Sequence, residues 1–462
     1  MTFQTRSLGS LPLVPQPADA DYLAGVGADG RGVRHPVSAL GTYARQALGV
    51  PGRPAREGGV VPNTAEDQTA KLAALMERVR ADGGGKILLE PGVYSVHDLA
   101  PVSGVLLEGV RGATRLQAPA GSGGRVITNP GFAAMVGTDD FNGEAPHGFG
   151  FAHLVLDGNA GAQSVTGAAR DLACPYQVYG FNFFLHGLRI EGAAGHALRS
   201  EWGRYGDFAM QSYVSEIETD WTPRHGIWWN GPHDSVLSDI FPVDSGVEGD
   251  KLYCGIQTGP NGGSHWNRVH VWKRSWNGAR TRCAFASAGG SIVTDADLEG
   301  GATLFEAGGR DRLGGLFYAS FGDPGGCMID VLGNLVTVDA GTRLENATNA
   351  DIYAIRLGRA AAKVSGFVYV GGLIGGFPRG AVDFSGDAGG NRIQATGYGN
   401  GAPTGMADAT IVDFDFNTPT VRILRGQLDP GPYGGAAAAK AAGLRFGDRF
   451  LHTDGTVRWV NV

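Results

Sequence analysis

The chain predicts an all-β solenoid of stacked parallel coils, and three observations predict it. Four segments recur at a constant step of 29 residues: His196-Ala-Leu-Arg-Ser200, His225-Gly-Ile-Trp-Trp229, Cys254-Gly-Ile-Gln-Thr258 and Cys283-Ala-Phe-Ala-Ser287. Each centres on one large apolar residue, Leu198, Ile227, Ile256 or Phe285. A second ladder, Ile190, Ile217, Ile240, Val271 and Ala296, runs ahead of the first at steps of 27, 23, 31 and 25. The third observation is glycine, 77 of 462 residues, about one in six against roughly 7% in ordinary proteins. Repeats of this period mark units that bury their apolar face only against their neighbours.

The repeat unit is β. Short apolar positions alternate with polar ones in Ser215-Glu-Ile217, Ser238-Asp-Ile240 and Val269-His-Val271, and Gly, Asn and Asp punctuate them. Helical repeats need apolar stripes at i and i+4 over ten or more residues, and none occurs between about 100 and 430. A chain that turns several times per coil requires residues that reach positive φ without steric cost, which glycine does. No Gly-X-Y period exists, which excludes collagen. A hydrophobic content of 42% excludes low-complexity disorder.

One amphipathic helix precedes the coils. Leu72, Leu75, Met76 and Val79 fall at i, i+3, i+4 and i+7. Thr64 is the expected cap, with Asp67 three residues on, and Gly83-Gly-Gly85 the stop. Strands are expected at Lys86 to Leu89 and Val105 to Leu107, with a Pro91-Gly92 turn between them. An open solenoid exposes core and unpaired backbone at its first coil, and a helix laid across that end covers both.

The run of a D-Q-T helix, GGGKILLEPGVY and SGVLLEG resembles the opening of the right-handed parallel β-helix proteins of the pectate-lyase-like superfamily. Within that superfamily it is most similar to tail spikes of tailed bacteriophages. Residues 58–425 would form the β-helix. LPLVPQPADADYLAGVGADGRGVRHPVSAL, at 11–40, is similar to the small attachment segments of phage spikes, with Asp29-Gly30 as its hairpin turn. Residues 1–57 are therefore expected to join a particle through an attachment segment and linker. Residues 426–462 are expected to hold a linker and a β-hairpin turning at Asp454-Gly455. The resemblance implies a homotrimeric spike on a virion, or on a phage-derived particle such as a gene transfer agent, that binds or cleaves host surface (capsular) polysaccharide.

Composition narrows the partners. The net charge is −7 without a basic block, so a phosphate-tracking nucleic-acid surface is not expected. No apolar run approaches the 18 residues of a membrane span, and the first residues lack the apolar stretch of a secretion leader, so synthesis in the bacterial cytoplasm is expected. Cys174, Cys254, Cys283 and Cys327 have no C-x-x-C spacing and read as small buried hydrophobes, with Cys254 and Cys283 stacked on adjacent coils. No cofactor or metal is expected; the densest acidic loop, Asp244 with Glu248 and Asp250, falls short of a calcium site.

Seven of the eight tryptophans lie between 202 and 276. Aromatic faces stack on sugar C–H surfaces, and neighbouring carboxylates and amides bind hydroxyls. The carbohydrate-binding candidates are Trp202, Trp221, His225, Trp228, Trp266, His270, Trp272 and Trp276. Strand alternation turns Trp228, His270 and Trp272 outward and Trp229 into the core; Trp202, Trp221, Trp266 and Trp276 are assigned to turns. The same alternation predicts an outward column of Arg189, Glu216, Asp239, His270 and Asp295, beside Glu191, Glu218, Phe241, Trp272 and Asp297. Glu216 and Asp239, about 4.8 Å apart on neighbouring coils, are one candidate acid and base pair, their repulsion raising one pKa. Glu201 and Asp234 are the other. The N-x-D and R-I-K elements of polygalacturonases are missing, as is the calcium-dependent pectate-lyase set. Adhesion is the leading reading and depolymerisation, by hydrolase or lyase chemistry, the alternative.

Overall fold

The computed structural model describes residues 52–136, 145–202, 211–273, 280–319, 326–346 and 350–358, with short isolated segments outside them. Its centre is a single-stranded right-handed parallel β-helix. Among the described residues, strands stack into a sheet of 20 and a second sheet of ten. In the second sheet every pairing is parallel. The expected ladder of Leu198, Ile227, Ile256 and Phe285 is in register, and it continues through Phe305, Ile329 and Ile355. All seven residues are buried. Cys254 and Cys283 are register partners and buried free thiols, as their repeat positions imply.

The larger sheet corrects the other ladder. Ile217 aligns with Leu188 rather than Ile190, and Ile240 with Val269 rather than Val271. The cause is a corner inside each long strand. Gly187, Glu216, Asp239, Arg268 and Asp295 have φ of 62, 54, 57, 51 and 50, the left-handed region that non-glycine residues seldom enter. Inward side chains therefore follow the pattern i, i+3, i+5 instead of strict alternation. Leu185, Val214, Leu237, Trp266 and Val293 form the first inward column, and Leu188, Ile217, Ile240, Val269 and Ala296 the second. The third runs through Ile190, Thr219, Pro242, Val271 and Leu298. The sequence ladder mixed the second column with the third, because residues two apart share a face.

At the N-terminal end the helix Thr69–Ala81 buries Leu72, Leu75, Met76 and Val79 against the first coils. Thr64 does not cap it. The backbone N–H of Thr69 donates to Asp67 Oδ1 at 2.9 Å, while Thr64 Oγ1 accepts from Glu66, at 3.0 Å. Beyond Ala81, Gly83 and Gly84 take φ of 94 and 86, and Gly84 N–H closes on Val79 O at 2.9 Å, a turn that a Cβ would strain. Antiparallel pairs Tyr22–Val26 with Gly32–Pro36, and Arg449–Leu451 with Val457–Trp459, lie near the two chain ends.

Candidate functional site

Past the corner column, the outer face of the larger sheet presents two rows of side chains. The first runs Arg189, Glu218, Phe241, His270, Asp297, and the second Glu191, Asp220, Val243, Trp272, Glu299. Strand spacing sets neighbours in a row about 4.8 Å apart. At the lower coils Arg115 pairs with Asp157 and Glu191, and Arg189 with Glu191 and Asp220. The middle is aromatic. Phe241 and His270 stack with centroids 4.6 Å apart and planes at 22°, and Trp272 beside them is 37% exposed. Above it stand Asp297 and Glu299, 3.9 and 3.4 Å from His270 Nε2. Trp221, two coils down from Trp272, is 60% exposed and held out by its own positive φ of 53.

This face combines ring surfaces with carboxylate acceptors, the pairing that holds sugar rings and their hydroxyls. Of the candidates read from sequence it carries His270 and Trp272 side by side, while Trp221 is exposed at the position after Asp220, two coils lower. Trp266 and Trp202 are interior, at 1% and 2% exposure. Trp266 packs edge-on to Trp229 and Phe285 because it lies three residues before Val269, on the near side of the corner. Trp202 packs with Phe132 and Tyr179 in a small separate core. Trp229 is fully buried, as expected. Trp276 lies outside the described residues.

His225 is also interior. Its ring lies flat on His196 at 5.1 Å and 4°. His196 Nδ1 accepts from His225 N–H at 3.2 Å, and His225 Nδ1 from Cys254 N–H at 2.9 Å. Burial pushes both imidazoles below their ordinary pKa, which suits these acceptor roles. Trp228 faces outward on the second sheet, half-buried beside His225 and Arg199.

The four carboxylates offered as acid and base are dispersed and engaged. Glu216 pairs with Arg111. Arg268 grips Asp239 with two hydrogen bonds, 2.6 and 2.5 Å, and holds its carboxyl below the usual range. Glu216 and Asp239 are neighbours on adjacent coils, but each is held by its own arginine, and Asp239 is not the member whose pKa repulsion raises. Glu201 is buried and accepts from Arg199, Trp228 and Asn230. Asp234 bonds His233 at 2.9 Å, which lowers its pKa. Sequence reasoning missed Glu299, which the register places one coil beyond Trp272 and within 3.4 Å of His270 Nε2.

No family model matches the chain. A curated relative, "Depolymerase 1, capsule K8-specific" of Klebsiella phage K5-4, is 24% identical over 319 residues, covering 65% of this chain and 41% of the relative. The chain thus spans about two-fifths of that relative's length. Among solved structures, the tailspike protein of E. coli bacteriophage HK620 in complex with pentasaccharide has a TM-score of 0.46 and 12% identity, covering 84% of this chain and 70% of that one. The A-module of Azotobacter vinelandii mannuronan C-5 epimerase AlgE6 has a TM-score of 0.44 and 13% identity, covering 73% and 99%. The chain is a parallel β-helix protein similar in sequence to a phage capsule depolymerase.

Proposed function

We propose that the protein is a spike of a phage or phage-like particle that binds host surface (capsular) polysaccharide along the outer face of its larger sheet. The observation that carries this reading is the exposed aromatic platform of Trp272, His270 and Phe241, flanked on successive coils by carboxylates. A repeating polymer suits a repeating surface, since each coil advances the face by about 4.8 Å. The named activity of the Klebsiella phage relative points to capsule as the polymer class. Attachment through residues 1–57 and assembly as a homotrimer on the virion belong to the same reading and rest on resemblance to tail spikes.

The test is size-exclusion chromatography of the full chain with purified capsular polysaccharides, K8 capsule among them, for wild type, Trp272→Ala and Trp221→Ala. Co-elution with polymer that weakens by more than about tenfold in Trp272→Ala is expected, a buried ring contact contributing at least that much. Equal co-elution of wild type and a Trp272→Ala/Trp221→Ala double variant would remove this face as the binding surface.

A second reading, cleavage of the polymer, is favoured by the same relative's name. It predicts shortening of the polymer in that chromatogram. Unchanged polymer length after prolonged incubation with a polysaccharide that binds would reject it.

A further inference from the structure

We propose that His270, Asp297 and Glu299 form a site for a first-row divalent transition metal, Zn²⁺ being the probe of choice. His270 and Asp297 are direct register partners on adjacent coils, and Glu299 projects from the same face two residues on. The His270 ring is held flat against Phe241 from the coil below, which aims Nε2 at both carboxylates. Glu299 Oε1 lies 3.4 Å and Asp297 Oδ2 3.9 Å from that nitrogen, and the three ligand atoms lie within 4.8 Å of one another.

These distances are long for charged hydrogen bonds, which close to about 2.7–2.9 Å. The two distances from His270 fall in the range for donors sharing one ion, since ligands about 2.0–2.2 Å from a metal stand roughly 3 to 4 Å from each other, and the outer separation, within 4.8 Å among the three atoms, closes onto an ion by a small side-chain rotation. Charge points the same way as the geometry. Asp157, Glu191, Asp220, Glu216 and Asp239 on the same sheet each have an arginine partner. Among the described residues Asp297 and Glu299, like Glu218 and Asp295 on the same sheet, have neither an arginine nor a lysine as ion-pair partner; what sets the pair apart is that both carboxylates face one imidazole nitrogen. Two neighbouring carboxylates without a fixed counter-charge repel each other, and a divalent cation between them removes that cost.

One imidazole with two carboxylates selects zinc or manganese over calcium or magnesium, which require more oxygen donors or retain their water. Three protein ligands leave coordination positions open toward solvent, next to Trp272, the register neighbour of Glu299. On the polysaccharide reading, and only there, a pair of sugar hydroxyls or a sugar carboxylate would occupy them.

The test is isothermal titration of untagged, EDTA-treated full chain with ZnCl₂, without polysaccharide. Saturable binding of about one ion per chain is expected, weakened more than about tenfold in both His270→Gln and Asp297→Asn/Glu299→Gln. Circular dichroism of these surface variants establishes that they fold. Absence of saturable binding, or wild-type affinity in either variant, overturns the proposal. Because the titration contains no glycan, its outcome is independent of whether the face binds polysaccharide.

Discussion

Trp228 donates its indole Nε1–H to Oε1 of Glu201 across 2.8 Å, from one coil of the second sheet to the next. Glu201 is 2% exposed, and Arg199 and Asn230 complete its shell. A buried carboxylate is tolerated only while its partners are all present. Trp228 therefore reads as packing and charge satisfaction rather than as a free sugar platform. Trp228→Phe should lower unfolding stability by about 2 kcal/mol, the worth of a hydrogen bond to a charged group, while leaving polysaccharide co-elution unchanged. Urea unfolding and the chromatographic assay measure the two halves; lost binding with native stability would return Trp228 to the binding surface.

The corner residues carry a separate prediction. Asp239 has φ of 57, and its pair with Arg268 is solvent-exposed on both sides, so the pair itself contributes less than about 1 kcal/mol. Backbone conformation outweighs it. Asp239→Gly and Asp239→Asn should stay within about 1 kcal/mol of wild type, whereas Asp239→Ala should fall about 1–2 kcal/mol below Asp239→Gly, because alanine is strained in the left-handed region. Identical stabilities for the alanine and glycine variants would mean that the corner relaxes.

How far the fold could be read from sequence follows from those corners. The second sheet has short strands entered by the same turn, so a constant 29-residue step gave its register directly. In the larger sheet a left-handed residue, often a charged one such as Glu216 or Arg268, changes the inward phase mid-strand. No local preference announces this, because glutamate and arginine are poor candidates for that conformation. Alternation without that corner therefore leaves Trp266 to a turn and puts Asp295 in the row that Asp297 occupies. His270 and Trp272 face outward, as alternation predicts, because both lie beyond the corner, where alternation resumes. Glu299 was invisible without register, since a lone glutamate carries no motif.

The stacked pair His196 and His225 makes acid sensitivity specific. Burial holds both imidazoles below their ordinary pKa. Their contribution to stability is thus present above about pH 6.5, the value in the unfolded chain, and is lost as pH falls below it. His225→Asn keeps an acceptor for Cys254 N–H without a titrating group. The stability difference between wild type and His225→Asn should shrink as pH falls from 7.5 to 5.5. Thermal unfolding at the two pH values measures it, and a pH-independent difference would mean that His225 titrates equally in both states.

Asp311 has the opposite sign. It occupies the coil position filled by Ser212, Ser235, Ser264 and Ser291 on the four preceding coils, and all five are buried. Asp311 accepts from Ser287 Oγ and the N–H of Ser291, each at 2.8 Å, and from Gly309 N–H at 3.1 Å. Burial nevertheless raises its pKa to about 6, because three donors do not replace the water lost by the carboxylate. With the folded value above the unfolded one, its contribution is full below about pH 4 and is lost as pH rises through 6, about 3 kcal/mol in all. Asp311→Ser restores the residue of the preceding coils and removes the titration. Wild type should therefore gain stability relative to Asp311→Ser as pH falls from 7.5 to 5, even while both lose stability from the histidine pair. Comparing the two proteins cancels that shared loss, and a difference that stays flat or runs the other way would show that Asp311 is ionised in the fold.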